Sequence, residues 1–314
     1  MSGLILHHYP QSPVSEKVRV VLGIKGLAWQ SVTIPRVPPK PELMPLTGGY
    51  RRTPVMQVGA NVYCDSQCII REIQRRYPEP TLYPQGAAGM HWAISRWADG
   101  PVFQSALTVV LASQVDTLPA DFATDRARLY FGPEHDLKAL SAELPATLAQ
   151  LRGQLSWMED SLADGRRFMF GDQAGLADAM CYYLTWFIQG RCEQGPVLLG
   201  ALPRVMDWMR RVADIGHGNP SELSARAALD LAAAAEPEDV PQVDFDDPQG
   251  FSAGDPVQVM PEGDGGDPPV SGELTRLGNQ VIAIRRDDAR IGRCLVHFPR
   301  IGYRVERIDR TALR

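Results

Sequence analysis

The chain has 314 residues, a formal net charge of −5 and 44% hydrophobic residues. That length suits two or three domains better than one, and the acidic balance argues against wholesale nucleic-acid binding. No apolar run reaches transmembrane length, and Met1–His8 lacks the basic-then-apolar pattern of a signal peptide. The cysteines, Cys64, Cys68, Cys181, Cys192 and Cys294, are odd in number and form no CxxC. They read as free thiols of a reducing cytoplasm, with no metal site.

Leu4–His8 is a short apolar strand. Pro13–Ile24 sets Val14, Val18, Val21 and Leu22 at helical spacing, and Trp29–Ile34 alternates as a second strand. The Pro-rich span 35–45 is a loop. Thr53-Pro54 opens a third strand, Val55–Val58, although Pro cannot donate to a ladder. The position suits a cis peptide at a sharp turn, leaving the N–H and C=O of Thr53 to pair with an extended peptide. A turn at Gly59–Asn61, a strand Val62–Cys64 and a helix Ser66–Arg76 follow. Asp65 and Ser66 stand where that helix begins, placed to hold an ammonium or a carboxylate. The order β-α-β, then β-β-α, with a right-handed crossover, is a thioredoxin-like α/β domain over residues 1–84.

Residues 85–235 read as helices: Met90–Ala112, Asp136–Leu162, Leu176–Ile188, Arg204–Ala213 and Glu222–Ala235. The second carries Leu137, Leu140, Leu144, Leu148, Leu151, Leu155 and Met158 three or four apart, and the third is apolar nearly all round, as a buried central helix would be. From Ala227 to Thr275 there are twelve Asp or Glu and no Lys or Arg, so residues 236–254 read as an extended acidic linker. Residues 255–314 hold five short strands, with a hairpin turn at Gly278-Asn279, as in a small SH3-like β-barrel. The fold class is therefore α+β multidomain. Arg276–Arg314 carries ten Arg against four acidic residues. A nucleic-acid surface is one reading. A domain-docking or dimer-covering module is preferred, docked on its own dimer through arginines among Arg285, Arg286, Arg290 and Arg293. Exposed ion pairs contribute only about 0–1 kcal/mol each, so docking needs apolar area, for which Val296, Phe298 and Ile301 are available.

The strand-opening Pro, the Asp65-Ser66 pair, a thioredoxin-like half and an all-helical half resemble the cytosolic glutathione transferase family. Gly171-Asp172-Gln173-Ala174-Gly175-Leu176-Ala177-Asp178 is similar to that family's Gly-Asp-x-x-Ser/Thr-x-Ala-Asp signature. Gly175 replaces the hydroxyl N-cap, at a cost of only a few tenths of a kcal/mol, and Asp178 can still accept from its N–H. The resemblance covers residues 3–235. It implies a cytoplasmic homodimer that activates glutathione as a thiolate for attack on a small apolar electrophile. A related glutathione-dependent lyase or isomerase reaction, a glutathione carrier without turnover, and an interaction protein using its β module to bind a partner or nucleic acid are the alternatives.

Ser12-Pro13 is an ordinary N-cap and N1 pair, yet its hydroxyl can also donate to a thiolate. Lowering a thiol pKa from about 8.5 by roughly two units takes about 2.7 kcal/mol. A hydrogen bond to a charged group gives about 1.5–3 kcal/mol and a helix end about 0.3–1. Ser12 is the candidate catalytic residue and is similar to the Ser of zeta-like members, where omega-like members have Cys-Pro. Tyr9 and Ser15 remain alternatives. By the same resemblance, Thr53, ahead of Pro54, pairs with the cysteinyl backbone of glutathione. Asp65 and Ser66 hold the γ-glutamyl end, and Arg52 or Lys40 reaches the glycyl carboxylate. Phe103 and Leu107 are candidates for the co-substrate pocket, and Trp92, Arg96 and Asp99 for a dimer interface.

Overall fold

A computed structural model describes residues 3–132, 134–238, 240–263 and 266–313. The chain divides into two units. One comprises Met1–Ser15, Ala28–Glu72 and Pro220–Arg314; the other comprises Glu16–Leu27 and Ile73–Asn219.

The elements of the amino-terminal third are β1 (Ile5–His8), α1 (Pro13–Ile24), β2 (Ala28–Thr33), α2 (Met44–Thr47), β3 (Val55–Val58), β4 (Asn61–Cys64) and α3 (Ser66–Arg76). Helices α4 (Ala88–Trp97), α5 (Phe103–Gln114), α6 (Ala120–Phe131), α7 (Leu140–Ser161), α8 (Leu176–Arg191), α9 (Gly195–Gly200) and α10 (Pro203–Ile215) follow. The remainder is β5 (Asn219–Glu222), α11 (Ala225–Ala233), β6 (Gln242–Val243), β7 (Pro256–Pro261), β8 (Val270–Leu277), β9 (Val281–Asp288), β10 (Gly292–Pro299) and β11 (Tyr303–Arg307).

In the first unit β1 lies parallel to β2 and antiparallel to β3, which pairs antiparallel with β4. This is the thioredoxin-like sheet expected from the sequence. Five carboxy-terminal strands form an antiparallel module in the order β11-β7-β8-β9-β10. Their alternating burial, clearest in β7, turns one face to a core, and β8 carries a bulge between Leu274 and Arg276. The module does not stand apart from the body. β10 runs parallel to β4, pairing Leu295 with Asn61, Val296 with Val62 and His297 with Tyr63. It thereby covers the edge that β4 would otherwise present to solvent or to another chain.

One apolar core serves both parts of this continuous sheet. Ile5, Val32, Val62 and Cys64 belong to the same cluster as Leu274, Ile284, Val296 and Phe298. Two of the arginines expected to dock the module do so on main-chain carbonyls: Arg286 donates to Pro45 of α2 at 2.6 Å and Arg290 to Pro41 at 3.1 Å. Arg285 and Arg293 instead pair with Glu273 and Asp287 of the module itself. Val296 and Phe298 are buried, but Ile301 is 49% exposed. Gly48 has φ +70°, and a Cβ there would come within 2.6 Å of the Arg286 guanidinium. The turn and the close approach both require glycine.

Two expectations need correction. Helix α11 does not complete a helical bundle. Its small and apolar face, Ala228, Leu229 and Ala232, is buried in the sheet core of the first unit, and Gln57 donates to its Ala228 carbonyl at 2.8 Å. The acidic segment is not simply extended either. It contains β6, parallel to β8, and its Asp247 pairs with Arg300 of the module. The strand pairing and this ion pair hold part of it against the module.

In the second unit the expected helix Met90–Ala112 is broken. Ala98–Val102 widens to π pitch and Gly100 leaves helical geometry just before Pro101, which has no N–H to give. At the break Asp99 accepts from Lys17 at 2.7 Å and from the Tyr183 hydroxyl at 2.8 Å. Asp99 therefore serves an internal cluster. Helix α8 is buried at twelve positions, among them Leu176, Met180, Tyr183 and Phe187, as its all-round apolarity predicts. Its start is closed tightly: Asp178 accepts from the N–H groups of Gly175 and Met169 at 2.9 Å and from the Trp208 indole at 2.8 Å. A Cβ on Gly175 would lie 2.5 Å from Pro84 and 2.8 Å from the Leu82 carbonyl. Crowding explains why a hydroxyl residue is replaced there.

Candidate functional site

Register brings three chain segments to one end of the first unit's sheet. β1 pairs His7 with Val55 of β3, and Val55 pairs with Cys64 of β4. One or two steps further along each strand lie Tyr9, Thr53-Pro54 and Asp65. The loop from Tyr9 to the start of α1 therefore rises beside the entry to β3 and the exit from β4. Because β10 is parallel to β4, it leaves the sheet at this same end, and a turn after Pro299 brings Tyr303 back to it.

Ser12 sits at the start of α1, 2% exposed, and its Oγ accepts the N–H of Ser15 at 3.1 Å. A hydroxyl that accepts in this way keeps its own hydrogen to donate. Tyr9 is half-buried against the core, with the Arg36 guanidinium 6.0 Å from its ring. The Ser15 Oγ is buried and has no hydrogen-bond partner among the described residues. The Thr53-Pro54 peptide is cis. Among the described residues neither the N–H nor the C=O of Thr53 makes a backbone hydrogen bond, while Lys40 donates to its Oγ1 at 3.1 Å and to the Arg51 carbonyl at 2.8 Å. Asp65 has φ +73°, a strained setting for a non-glycine residue. Its Oδ1 accepts the N–H of Gln67 at 2.8 Å. Ser66, the first residue of α3, is 3% exposed.

The structure adds residues that sequence reasoning missed. Tyr303 donates its hydroxyl toward Asp65 Oδ2 at 3.2 Å and lies 3.3 Å from the Tyr50 hydroxyl. Burial and the neighbouring Asp65 push the Tyr303 phenol well above its ordinary range, so it stays a donor. Asp267, from the loop between β7 and β8, takes Arg52 Nε on Oδ2 at 2.7 Å and Arg51 Nε on Oδ1 at 2.9 Å. Burial opposes the Arg52 charge, but Asp267 and the Tyr50 and Tyr303 phenols together more than offset it and hold the guanidinium above its ordinary range. No local signal could have located these partners: Tyr303 is 238 positions from Asp65.

The five cysteines are buried and unpaired. Burial raises the Cys64 and Cys68 thiols well above their ordinary range, so neither is a ready nucleophile. No group of three or more potential ligands placed to hold a metal occurs among the described residues. No described helix is long and apolar enough to cross a membrane. In the second unit Phe103 packs on Tyr130, Tyr183 and Phe187 at 5.7–6.5 Å between ring centroids, and Leu107 is 3% exposed. Both are core. A cavity of about 630 Å³ in that unit is lined instead by Ile94, Trp97, Trp157, Met158 and Phe170.

Residues 6–81 match the family model described as glutathione S-transferase, N-terminal domain, and residues 141–211 the one described as glutathione S-transferase, C-terminal domain. A solved GST-like protein from Pseudomonas syringae is 37% identical with a TM-score of 0.77, over 98% of this chain and 100% of that one. The likeness therefore extends through the carboxy-terminal module. A glutathione transferase from Phanerochaete chrysosporium is 20% identical with a TM-score of 0.56, over 68% of this chain and 98% of that one. One from Rhodospirillum rubrum F11 is also 20% identical, with a TM-score of 0.51, over 67% and 87%. These two share the fold. No curated protein matches.

Proposed function

Because the chain belongs to the glutathione S-transferase family, we propose that it binds glutathione where Ser12, Thr53 and Asp65 converge and uses the thiolate to attack a small apolar electrophile. The observation that carries this reading is the main chain of Thr53, without a backbone hydrogen-bond partner among the described residues. It lies between a helix start bearing a hydroxyl and a carboxylate at positive φ. An extended peptide fits there, its cysteinyl part on Thr53 beside Pro54, its γ-glutamyl end on Asp65 and Ser66, and its glycyl end toward Arg52 and Lys40.

Ser12 then donates its O–H to the sulfur anion, and the positive end of α1 adds to the effect. The thiol proton passes to water. The sulfur lone pair forms a bond to the electrophilic carbon, and the displaced electron pair departs with a leaving group or stays on the acceptor. Buried, high-pKa cysteines leave thiol exchange through a protein sulfur without a partner.

Calorimetry with reduced glutathione, followed by turnover with an activated aryl halide, tests the proposal. Saturable binding with turnover supports it, and absence of binding rejects it. The burial of Ser12, 2% exposed, favours a second reading, a carrier that binds glutathione without turnover; affinity alone would select it.

Five unpaired thiols support a reducing, cytoplasmic setting. Exposed Met90 and Trp157, each 59% accessible, support a homodimer, checked by sedimentation at micromolar concentration. The module's arginines hold acceptors within their own unit, at Pro45, Pro41, Glu273, Asp287, Asp247 and Asp255. That supports an internal role over a nucleic-acid surface.

A further inference from the structure

The carboxy-terminal module places two side chains against the polar ends of this site. At one end Asp267 is nearly enclosed, its side chain 4% exposed, and a guanidinium stands against each oxygen, Arg51 on Oδ1 and Arg52 on Oδ2. Arg52 meets it side-on: Nε at 2.7 Å and Nη2 at 2.5 Å share the one oxygen. Among the described residues Nη1 of Arg52 has no hydrogen bond, and the side chain is 29% exposed. A guanidinium offers two edges, and a carboxylate on the Nε edge fixes the plane in which the other edge is presented. At the other end Tyr303, 5% exposed, donates to Asp65 Oδ2 while the Gln67 N–H holds Oδ1. The Asp65 carboxylate is thereby fixed at both oxygens. Gln67 is tied to the module too, its amide reaching the Ile301 carbonyl at 3.4 Å.

We infer that the β module is the outer wall of the glutathione site, with Asp267 positioning Arg52 to read the glycyl carboxylate and Tyr303 positioning Asp65 to read the γ-glutamyl ammonium. The inference rests on the proposed function and deepens it. Neither residue touches the ligand; each acts through the group it holds. Asp267 is the specificity-determining member. It spends one edge of Arg52 and leaves the other, so the site requires a ligand that ends in a carboxylate. A neutral end would face a cation already half-satisfied and would gain little.

Calorimetry on the full chain tests this with two probes, reduced glutathione and glutathione amide, whose glycyl carboxylate is a carboxamide. Asp267→Asn keeps the shape and removes the charge. We expect it to weaken glutathione roughly five- to tenfold and to leave the amide within about twofold, collapsing the preference between them. In an Arg52→Gln background the Asp267→Asn substitution should have no further effect, as a double-mutant cycle requires of a residue acting through Arg52. Arg52→Lys keeps the charge but has no second edge, so it should reproduce the collapse independently of how Asp267→Asn folds. Tyr303→Phe should weaken both probes by the same factor, roughly three- to tenfold, because both carry the γ-glutamyl group.

Tighter glutathione binding by Asp267→Asn would overturn the inference, since it would mean that Asp267 competes with the ligand for Arg52. Equal losses for both probes in Asp267→Asn would reduce Asp267 to a structural role and overturn it as well. A wild-type chain that binds neither probe rejects the proposed function and this inference together. A wild type that binds glutathione, with variants that miss the pattern, rejects this inference alone.

Discussion

Two helix starts in this protein carry short polar motifs of similar appearance, and they have opposite fates. At α8 the carboxylate of Asp178 is 0% exposed and receives three N–H donors, two from the main chain and one from Trp208. Both of its oxygens are engaged in folding the unit, out of reach of solvent. At α1 the hydroxyl of Ser12 receives one N–H, from Ser15, and retains a hydrogen that meets no acceptor among the described residues. The neighbouring Thr53 main chain is in the same condition. The contrast separates a polar group committed to the fold from one held in place but left with capacity to spare. Only the second kind can serve a ligand.

The largest effect should come from asking whether the α1 site survives without the strands beside it. Deleting residues 244–314 strips β10 from β4 and removes Leu274, Ile284, Val296 and Phe298 from the shared core. Each buried side chain of this size contributes about 1.5–3 kcal/mol, against a total stability of about 5–15. The truncated chain should be insoluble or unfolded, and sedimentation with circular dichroism would show it. A soluble truncation that melts like the full chain would mean that the seam is dispensable. Point substitution Val296→Asp, which buries a charge in that core, should behave almost as badly.

Next in size is the committed helix start. Asp178→Ala leaves three buried donors unanswered and should cost about 3–5 kcal/mol, read by chemical denaturation. Its titration gives a second handle. Burial pushes the Asp178 carboxyl up from 3.8 to about 6. Its contribution is therefore full below pH 3.8 and is lost as pH rises through about 6. His7 works the other way. Buried beside Gln57, it is held down from 6.5 to about 4, so its contribution is present above pH 6.5 and is lost as pH falls toward 4. Each is worth roughly 3 kcal/mol at full extent, and between pH 4 and 6 they oppose. Asp178→Asn cannot titrate, so it should lose stability on acidification more steeply than the wild type. Parallel profiles would show that Asp178 is already ionised throughout.

Most of the first unit's architecture was legible because its signals are local. Val14, Val18, Val21 and Leu22 mark α1 by spacing, Pro54 marks the entry to β3, and alternation marks the module's strands. The helix break at Gly100-Pro101 was also written in the sequence, but the apolar spacing across it reads as one helix. The seam between β10 and β4 was not legible. His297 and Asn61 are 236 positions apart, and parallel pairing leaves no turn to announce it. The same distance hid Tyr303 and Asp267. A helix such as α11 reads identically whether its Ala-rich face meets other helices or a sheet, so its place depended on tertiary packing alone.

Asp65 stands between the two helix starts, with both oxygens engaged yet positioned at the open end of the sheet. Asp65→Ala should weaken glutathione by about 1.5–3 kcal/mol, as expected for a hydrogen bond to a charged group. Relief of the positive φ will not offset a lost cap, because Ala is no better placed there than Asp. Calorimetry and melting decide between roles. Unchanged affinity with collapsed stability would make Asp65 a second Asp178.

The smallest effect on stability, and the sharpest separation, belongs to Ser12. As a cap it gives about 1 kcal/mol, and Ala at that position forfeits it. Glycine is a better N-cap than alanine and costs only a few tenths of a kcal/mol against serine. Ser12→Gly should therefore melt almost with the wild type while lacking the hydroxyl. If Ser12 serves only the fold, Ser12→Gly should keep the thiol pKa of bound glutathione and Ser12→Ala should be the more damaged variant. If Ser12 stabilises the thiolate, both should raise that pKa by one to two units, the share of a hydrogen bond worth about 1.5–3 kcal/mol, whatever their melting temperatures. Thiolate absorbance titrated against pH in the two variants separates the outcomes. A pKa that follows the melting temperature would return Ser12 to the class of Asp178 and pass the donor role to Tyr9 or Ser15.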